Sequence, residues 1–262
     1  METPTMSFVM PSIRPDMWMS AYNYLEKTNV PFELIVCTPS YIPANISYPS
    51  NIIFIRTNVK LVQCYQIGFL KAKGEFISLM SDDTEVSPYA YDEAVDIYRK
   101  SNNYKTIVSL IFSTKIGGNF VSQMHTLLFP DASNGIQLPT AMGVMSRQYF
   151  IEMGGHDINF MQEDLDLYVR CIINGSPIII CDEGSAYEDR GDGKHDHHDA
   201  SRTLSWTNDY YLARELWAGN NNINDWKNNL GNIKRIRPHE PFNSDAPDFL
   251  TKSQGRSQPK WD

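Results

Sequence analysis

Two adjacent carboxylates, Asp82 and Asp83, follow directly on the apolar run Phe76-Ile77-Ser78-Leu79-Met80. Two anions at the end of a buried strand need a counter-charge, and a divalent cation supplies one. A hard cation there could also take two oxygens of a nucleotide diphosphate and neutralise a departing phosphate group. The same pair serves equally as a turn or helix cap, because Asp ahead of Thr84-Glu85-Val86-Ser87-Pro88 is good capping chemistry. A second acidic run, Gln162-Glu163-Asp164-Leu165-Asp166, opens a helix-like segment just after Gly154-Gly155-His156-Asp157. Acidic residues in a first turn suit the helix dipole and need no function. Yet Asp164 and Asp166 cannot share a helical face, so one of these carboxylates is available to a pocket as a general base. A third group is His195-Asp196-His197-His198-Asp199. Neutral imidazoles ligate manganese, zinc or iron, but the spacing matches no zinc signature, and a solvated polar loop accounts for the cluster as well.

The elements that would hold these groups alternate in type. Residues 6–10 read as a buried strand ended by Pro11, and a segment of helical spacing runs from Arg14 through Trp18, Tyr22 and Leu25. Strands follow at 32–37 and 51–55, then a helix whose stripe is Leu61, Tyr65, Gly68 and Ala72, stopped by Gly74. A fourth strand at 76–80 leads into Asp82-Asp83, followed by a helix over 89–100 and a strand over 106–112. Near-continuous apolar strands separated by helices imply an α/β sheet, mostly parallel and covered on both faces. Ligands in such sheets sit beyond the carboxyl ends of the strands, where the loops at 11–14, 38–40 and 82–83 converge. The second half is less regular: loop with short strands over 113–139, a helix over 163–173, a short strand over 177–181 and a charged loop over 187–200. An amphipathic helix is expected over 205–218, whose Trp206 and Trp217 could stack on sugars, as could Trp226 beyond it, or simply fill a core. The division expected is a catalytic domain over 1–218 and a polar extension over 219–262, packed on that domain or partly disordered.

Composition narrows the partners. The 262 residues are 42% apolar and 21% charged, an ordinary globular balance. Lys and Arg number 23 against 31 Asp and Glu, giving a net charge of −8 that argues against coating nucleic acid or an anionic membrane. The 4 cysteines lack CxxC spacing and read as buried free thiols of a reducing compartment. No stretch approaches the ~20 apolar residues of a membrane helix and no signal peptide is apparent, so the expected location is cytoplasmic, or peripheral to a membrane.

Taken in order, four segments of residues 6–200 resemble the GT-A fold nucleotide-sugar glycosyltransferases of the large inverting family-two type. Residues 7–12 (SFVMPS) resemble that family's opening strand and nucleotide-contacting loop. Residues 64–77 (CYQIGFLKAKGEFI) resemble its A-R-N-x-G-x-x-x-A-x-G-E-Y-I segment, with Tyr65 and Gln66 in place of Arg and Asn. Ser81-Asp82-Asp83 falls at its metal-binding aspartate motif, with Ser81 in place of an aspartate. Gly154-Gly155-His156-Asp157 with Glu163-Asp164-Leu165-Asp166-Leu167 and Arg170 resembles its G-G-F-D … E-D-x-D-L-x-x-R segment. The chain departs from the family at Thr38-Pro39-Ser40, where Asp-Gly-Ser is common and its aspartate helps read the base.

The resemblance implies a GT-A (Rossmann-like) domain that uses Mn²⁺ or Mg²⁺. Asp83 would ligate the metal, with His198 as the late-loop ligand and His195 and Asp189 as rivals. Asp82 would hold the ribose or assist the metal, while Pro11, Ser12 and Arg14 line the nucleoside pocket. Asp164 would be the base toward the acceptor hydroxyl, and Glu163 would support it or bind the acceptor. The donor expected is a nucleotide sugar, a UDP-sugar first. The acceptor is an unidentified hydroxyl compound, with glycan, lipid-linked glycan, protein, small glycoside and a nucleic-acid base all among the candidates. Two alternatives stand beside transfer: metal-dependent hydrolysis of a nucleotide-diphosphate compound, and binding of a nucleotide sugar without turnover.

Overall fold

The computed structural model describes residues 3–116, 119–122, 142–161, 165–189, 207–209, 211–213, 215–217 and 234–256. The chain opens with β1 (Met6–Pro11), α1 (Trp18–Leu25), β2 (Phe32–Thr38), β3 (Ile52–Arg56), α2 (Leu61–Lys71) and β4 (Phe76–Leu79). β1 pairs in parallel with both β2 and β4, and β2 with β3. The apolar runs thus form parallel strands whose carboxyl ends share one rim, as their composition requires. Along β1, Val9 faces one side of the sheet, while Met6, Phe8 and Met10 pack on the other.

The remainder is more mixed than the sequence suggests. It comprises β5 (Thr84–Val86), α3 (Ala90–Ser101), β6 (Ile107–Ile116), β7 (Asn119–Ser122), β8 (Gly143–Ser146), α4 (Arg147–Glu152), α5 (Leu165–Ile173) and β9 (Ile178–Asp189). The 9-stranded sheet runs β3-β2-β1-β4-β8-β6-β9-β5, with β7 paired to β6. β8 lies antiparallel between β4 and β6, β5 antiparallel to β9, and β7 antiparallel to β6, so antiparallel pairings match the parallel ones in number. "Mostly parallel" therefore holds for the first four strands and not for the whole sheet. The strands that depart are short (β5, β7 and β8) and lack the long apolar runs that betray a buried parallel strand. β9 also runs past the expected 177–181, through Asp182-Glu183-Gly184, as far as Asp189, alongside β6.

Helices cover both faces. α1 and α3 close the side carrying Met6 and Phe8, while α2 and α5 close the side carrying Val9. α2 is buried on more than the predicted stripe: Val62, Gln63, Cys64, Gln66, Ile67 and Phe69 are all buried, whereas Leu61 and Tyr65 are half-buried. It lies between the sheet and residues 249–254, whose backbone carbonyls of Phe249 and Lys252 accept from Gln63 Nε2. Gly68 permits this approach, since a Cβ there would stand 2.3 Å from Val9 Cγ1.

Candidate functional site

The rim of the parallel strands gathers Ser12, Arg14, Asp82 and Asp83. Ser12 follows β1, its backbone N–H bound to Cys37 O at the end of β2, and Met80 N–H bonds to Val9 O beyond β4. These bonds hold the 11–14 loop beside the 81–83 loop. The Arg14 guanidinium then lies across both acids: Nε donates to Asp82 Oδ2 at 3.0 Å, and Nη2 donates to Asp82 Oδ1 and to Asp83 Oδ2, the latter at 2.9 Å. Ser12 Oγ donates to Asp82 Oδ2 and accepts from Trp18 Nε1 at 2.8 Å. Ser81 Oγ donates to Asp83 Oδ1. Hydrogen bonds to Asp82 and Asp83 raise the Arg14 pKa above its ordinary value, against the opposing effect of burial.

Of the residues expected here, Ser12, Arg14, Asp82 and Asp83 are brought together, and Pro11 ends β1 beside them. Arg14, expected to line the nucleoside pocket, spans the acidic pair. Trp18 was assigned only to a helix stripe, yet its indole N–H fixes the Ser12 hydroxyl. Its spacing of six from Ser12 gives no motif that could have marked this contact. Glu163, Asp164, His195 and His198 lie outside the described residues, and Asp189 ends β9 opposite Lys115.

A second, buried charge network locks the turn at Gly154-Gly155-His156-Asp157 to α5. Asp166 Oδ1 accepts from Trp217 Nε1 at 3.0 Å and from Arg235 Nε at 2.8 Å, while Asp166 Oδ2 accepts from Arg170 Nε at 2.9 Å. Arg235 also donates to Asp157 Oδ2 at 2.7 Å, and Arg170 donates to the carbonyls of Met153 and Gly155. Backbone N–H bonds from Glu240 and Asn159 together with Arg235 hold Asp157 below the usual carboxylate range in spite of its burial. Gly154 and Gly155 adopt φ of +77° and +68°, and a Cβ on Gly155 would meet Gln66 Oε1 at 2.4 Å. Gln66 Oε1 in turn accepts from His156 N–H at 3.0 Å. Trp217, offered by its sequence as a sugar-stacking candidate, is 2% exposed and works in this network.

Carboxylate oxygens are the hard donors that Mg²⁺ or Mn²⁺ takes, and a guanidinium already stands as a cation on both acids, so the pair fits such an ion in kind. Among the described residues no cluster of three or more His, Cys, Asp or Glu side chains forms a metal site. All 4 cysteines are free and buried. No helix of the described residues is long and apolar enough to cross a membrane.

A parallel sheet covered on both faces, an acidic pair past its fourth strand and an antiparallel continuation define a GT-A-like α/β fold. Solved structures carry the same likeness. S. aureus TarS is 14% identical with a TM-score of 0.52, over 76% of this chain and 39% of TarS. S. aureus TarS 1–349 in complex with UDP-GlcNAc is 15% identical with a TM-score of 0.55, over 78% of this chain and 66% of that one. S. aureus TarS 1–349 alone is 14% identical with a TM-score of 0.53, over 86% of this chain and 75% of that one. At such identities the likeness is one of fold, and the chain spans well under half the length of TarS. No protein-family model matches the chain, and no curated protein does.

Proposed function

We propose that the chain is a glycosyltransferase that moves a sugar from a nucleotide-diphosphate sugar, a UDP-sugar first, to an acceptor hydroxyl with inversion. The observation that carries this reading is the Arg14–Asp82–Asp83 cluster at the carboxyl rim of β1 and β4, in a fold shared with a protein solved in complex with UDP-GlcNAc. Ligands of α/β sheets bind at that rim.

Ser12, fixed by Trp18, lines the nucleoside side together with Pro11, and Asp82 holds the ribose or assists the metal. A divalent cation held by Asp83 and His198 would supply neutralisation of the charge developing on the leaving diphosphate. Arg14 can turn its forked donors to phosphate oxygens, a pairing of matched geometry. Asp164 accepts the acceptor hydroxyl's proton as that oxygen attacks the anomeric carbon from the face opposite the diphosphate; Glu163 orients the acceptor or Asp164. Asp166 is committed to Arg170, Arg235 and Trp217, which supports giving the base role to Asp164 rather than to Asp166. The protein works in the cytoplasm, where UDP-sugars are made available to soluble or membrane-peripheral enzymes.

The test is thermal unfolding with a panel of nucleotide sugars, in Mn²⁺ and in EDTA, followed by turnover with Asp164→Asn. A donor at 100 times its Kd adds ~2.7 kcal/mol, a clear shift in Tm. A shift with one nucleotide family, and a loss of ~10²–10⁴ in transfer rate for Asp164→Asn with donor binding kept, is the expected result. Full activity in Asp164→Asn would eliminate this mechanism. Acceptor-independent loss of donor would indicate the hydrolase, and a donor shift without turnover would indicate a binding domain.

A further inference from the structure

The acidic pair carries its own cation. Asp82 and Asp83 are 5% and 13% exposed at the side chain, whereas the Arg14 side chain that bridges them is 29% exposed. The carboxylates are also held from behind: Ser12, itself fixed by Trp18, donates to Asp82, and Ser81 donates to Asp83. The acids are therefore the fixed partners and the guanidinium is the one that can leave toward solvent. Arg14 takes both oxygens of Asp82 and one of Asp83, the oxygens a divalent ion would need. A guanidinium and a divalent ion held on the same oxygens repel one another, so binding of one disfavours the other. The two carboxylates and the one guanidinium of this cluster sum to a charge of −1, which by itself disfavours a diphosphate. With a divalent ion bound and Arg14 released beside it, the same residues present a surplus of positive charge.

We propose that Arg14 is the resident cation of the Asp82–Asp83 pair and must be displaced from it for a divalent cation and a donor diphosphate to load, so that Arg14 gates metal entry. The proposal rests on the reading of this rim as a donor site. It makes metal alone a poor ligand and metal with nucleotide a good one, because the released guanidinium gains a phosphate partner in exchange for the carboxylates it gives up.

The test measures binding of Mn²⁺ alone, by calorimetry and by the electron spin resonance signal of free Mn²⁺, to the full chain and to Arg14→Gln. Arg14→Gln is expected to bind Mn²⁺ at least about tenfold more tightly, since hydrogen bonds to charged groups no longer compete. It is also expected to unfold at a lower temperature than the wild type in EDTA and to recover with Mn²⁺. Adding Asp83→Asn to Arg14→Gln should abolish the gain, which locates the ion at this pair. Equal Mn²⁺ affinity in the wild type and a folded Arg14→Gln overturns the proposal. Should Arg14→Gln fail to fold, Arg14→Lys, which keeps the charge and loses the fork, carries the same comparison; unchanged Mn²⁺ affinity there overturns it too. In the presence of UDP, the wild type should gain Mn²⁺ affinity more than Arg14→Gln does. If Mn²⁺ alone separates the variants while UDP binds neither, the gate stands and the donor reading fails.

Discussion

Asp164 and Asp166 sit two positions apart in one acidic run, and spacing alone does not choose between them; only the resemblance to the E-D-x-D segment singles out Asp164. In the structure Trp217 and Arg235, 51 and 69 residues further along the chain, take up Asp166. Side chains so remote leave no mark in local spacing, whereas Asp82-Asp83 and Ser12 stand directly after apolar strands and are legible for that reason. His156 shows the same limit. It occupies the position of Phe in the resembled G-G-F-D segment, and it is 2% exposed against Phe69 and Phe150. Among the described residues its Nε2 has no hydrogen-bond partner, and it lines a cavity of about 20 Å³. Burial, with Arg170 nearby, pushes its pKa down to about 3. The unfolded chain binds this proton below about 6.5, so the folded state loses stability as pH falls from there towards 3, by at most ~1.4 kcal/mol per pH unit. His156→Phe should remove that contribution. Urea denaturation between pH 6.5 and 4.5 should show a flatter profile for the variant, and parallel profiles would disprove the assignment.

The first four strands were readable as elements because each is a near-continuous apolar run. β9 was readable only over 177–181, because Asp182-Glu183-Gly184 breaks its pattern midway. The sheet absorbs this break in an irregularity: Ser109 pairs with Ile180, but Ile111 pairs with Ser185, leaving a bulge of β9 opposite one residue of β6. Glu93, in the first turn of α3, closes it. Its Oε1 accepts from the N–H of Asp182 at 2.7 Å and of Glu183 at 3.2 Å, and its Oε2 accepts from Gly184 N–H at 2.5 Å. One carboxylate thus satisfies three backbone donors that the bulge withdraws from the ladder. β9 then continues to Glu188, which pairs with Thr84 two residues after the acidic pair's loop begins its turn into β5. Glu93→Ala should lower stability by ~2 kcal/mol, with Glu93→Gln, which keeps one acceptor, losing about half as much. Chemical denaturation resolves the two; equal stability of all three proteins would show that water replaces the carboxylate without cost.

Across the whole molecule, the segment after residue 234 bolts the first half of the chain to the second. Thr57 Oγ1 donates to Leu250 O at 2.6 Å, Lys60 N–H to Ser253 Oγ at 3.0 Å, and Gln254 N–H to Gln63 Oε1 at 3.0 Å. Phe242 and Phe249 join the core cluster that holds Val9 and Ile67. A polar, proline-containing stretch gives no periodicity from which such packing could be foreseen. Lys60 is the centre of the joint: it is 1% exposed, and its ammonium donates to the carbonyls of Ile158 and Arg256. Burial pushes its pKa down to about 8, only partly offset by Asp209. Between that value and the 10.5 of a free lysine the unfolded chain holds the extra proton, so this group's cost shrinks as pH rises and its contribution to stability increases. The buried thiols act in the opposite sense. Burial raises Cys64, Cys171 and Cys181 to about 12 and raises Cys37 as well, so their contribution is lost as pH climbs above the ordinary thiol range. Lys60→Met leaves the thiols in place, so the difference between wild type and variant isolates the lysine. That difference should move in favour of the wild type by up to ~1.4 kcal/mol per pH unit between pH 8 and 9.5, read by urea denaturation. A difference independent of pH would mean that the ammonium keeps its proton in the folded chain, and that the joint is held by a full buried charge.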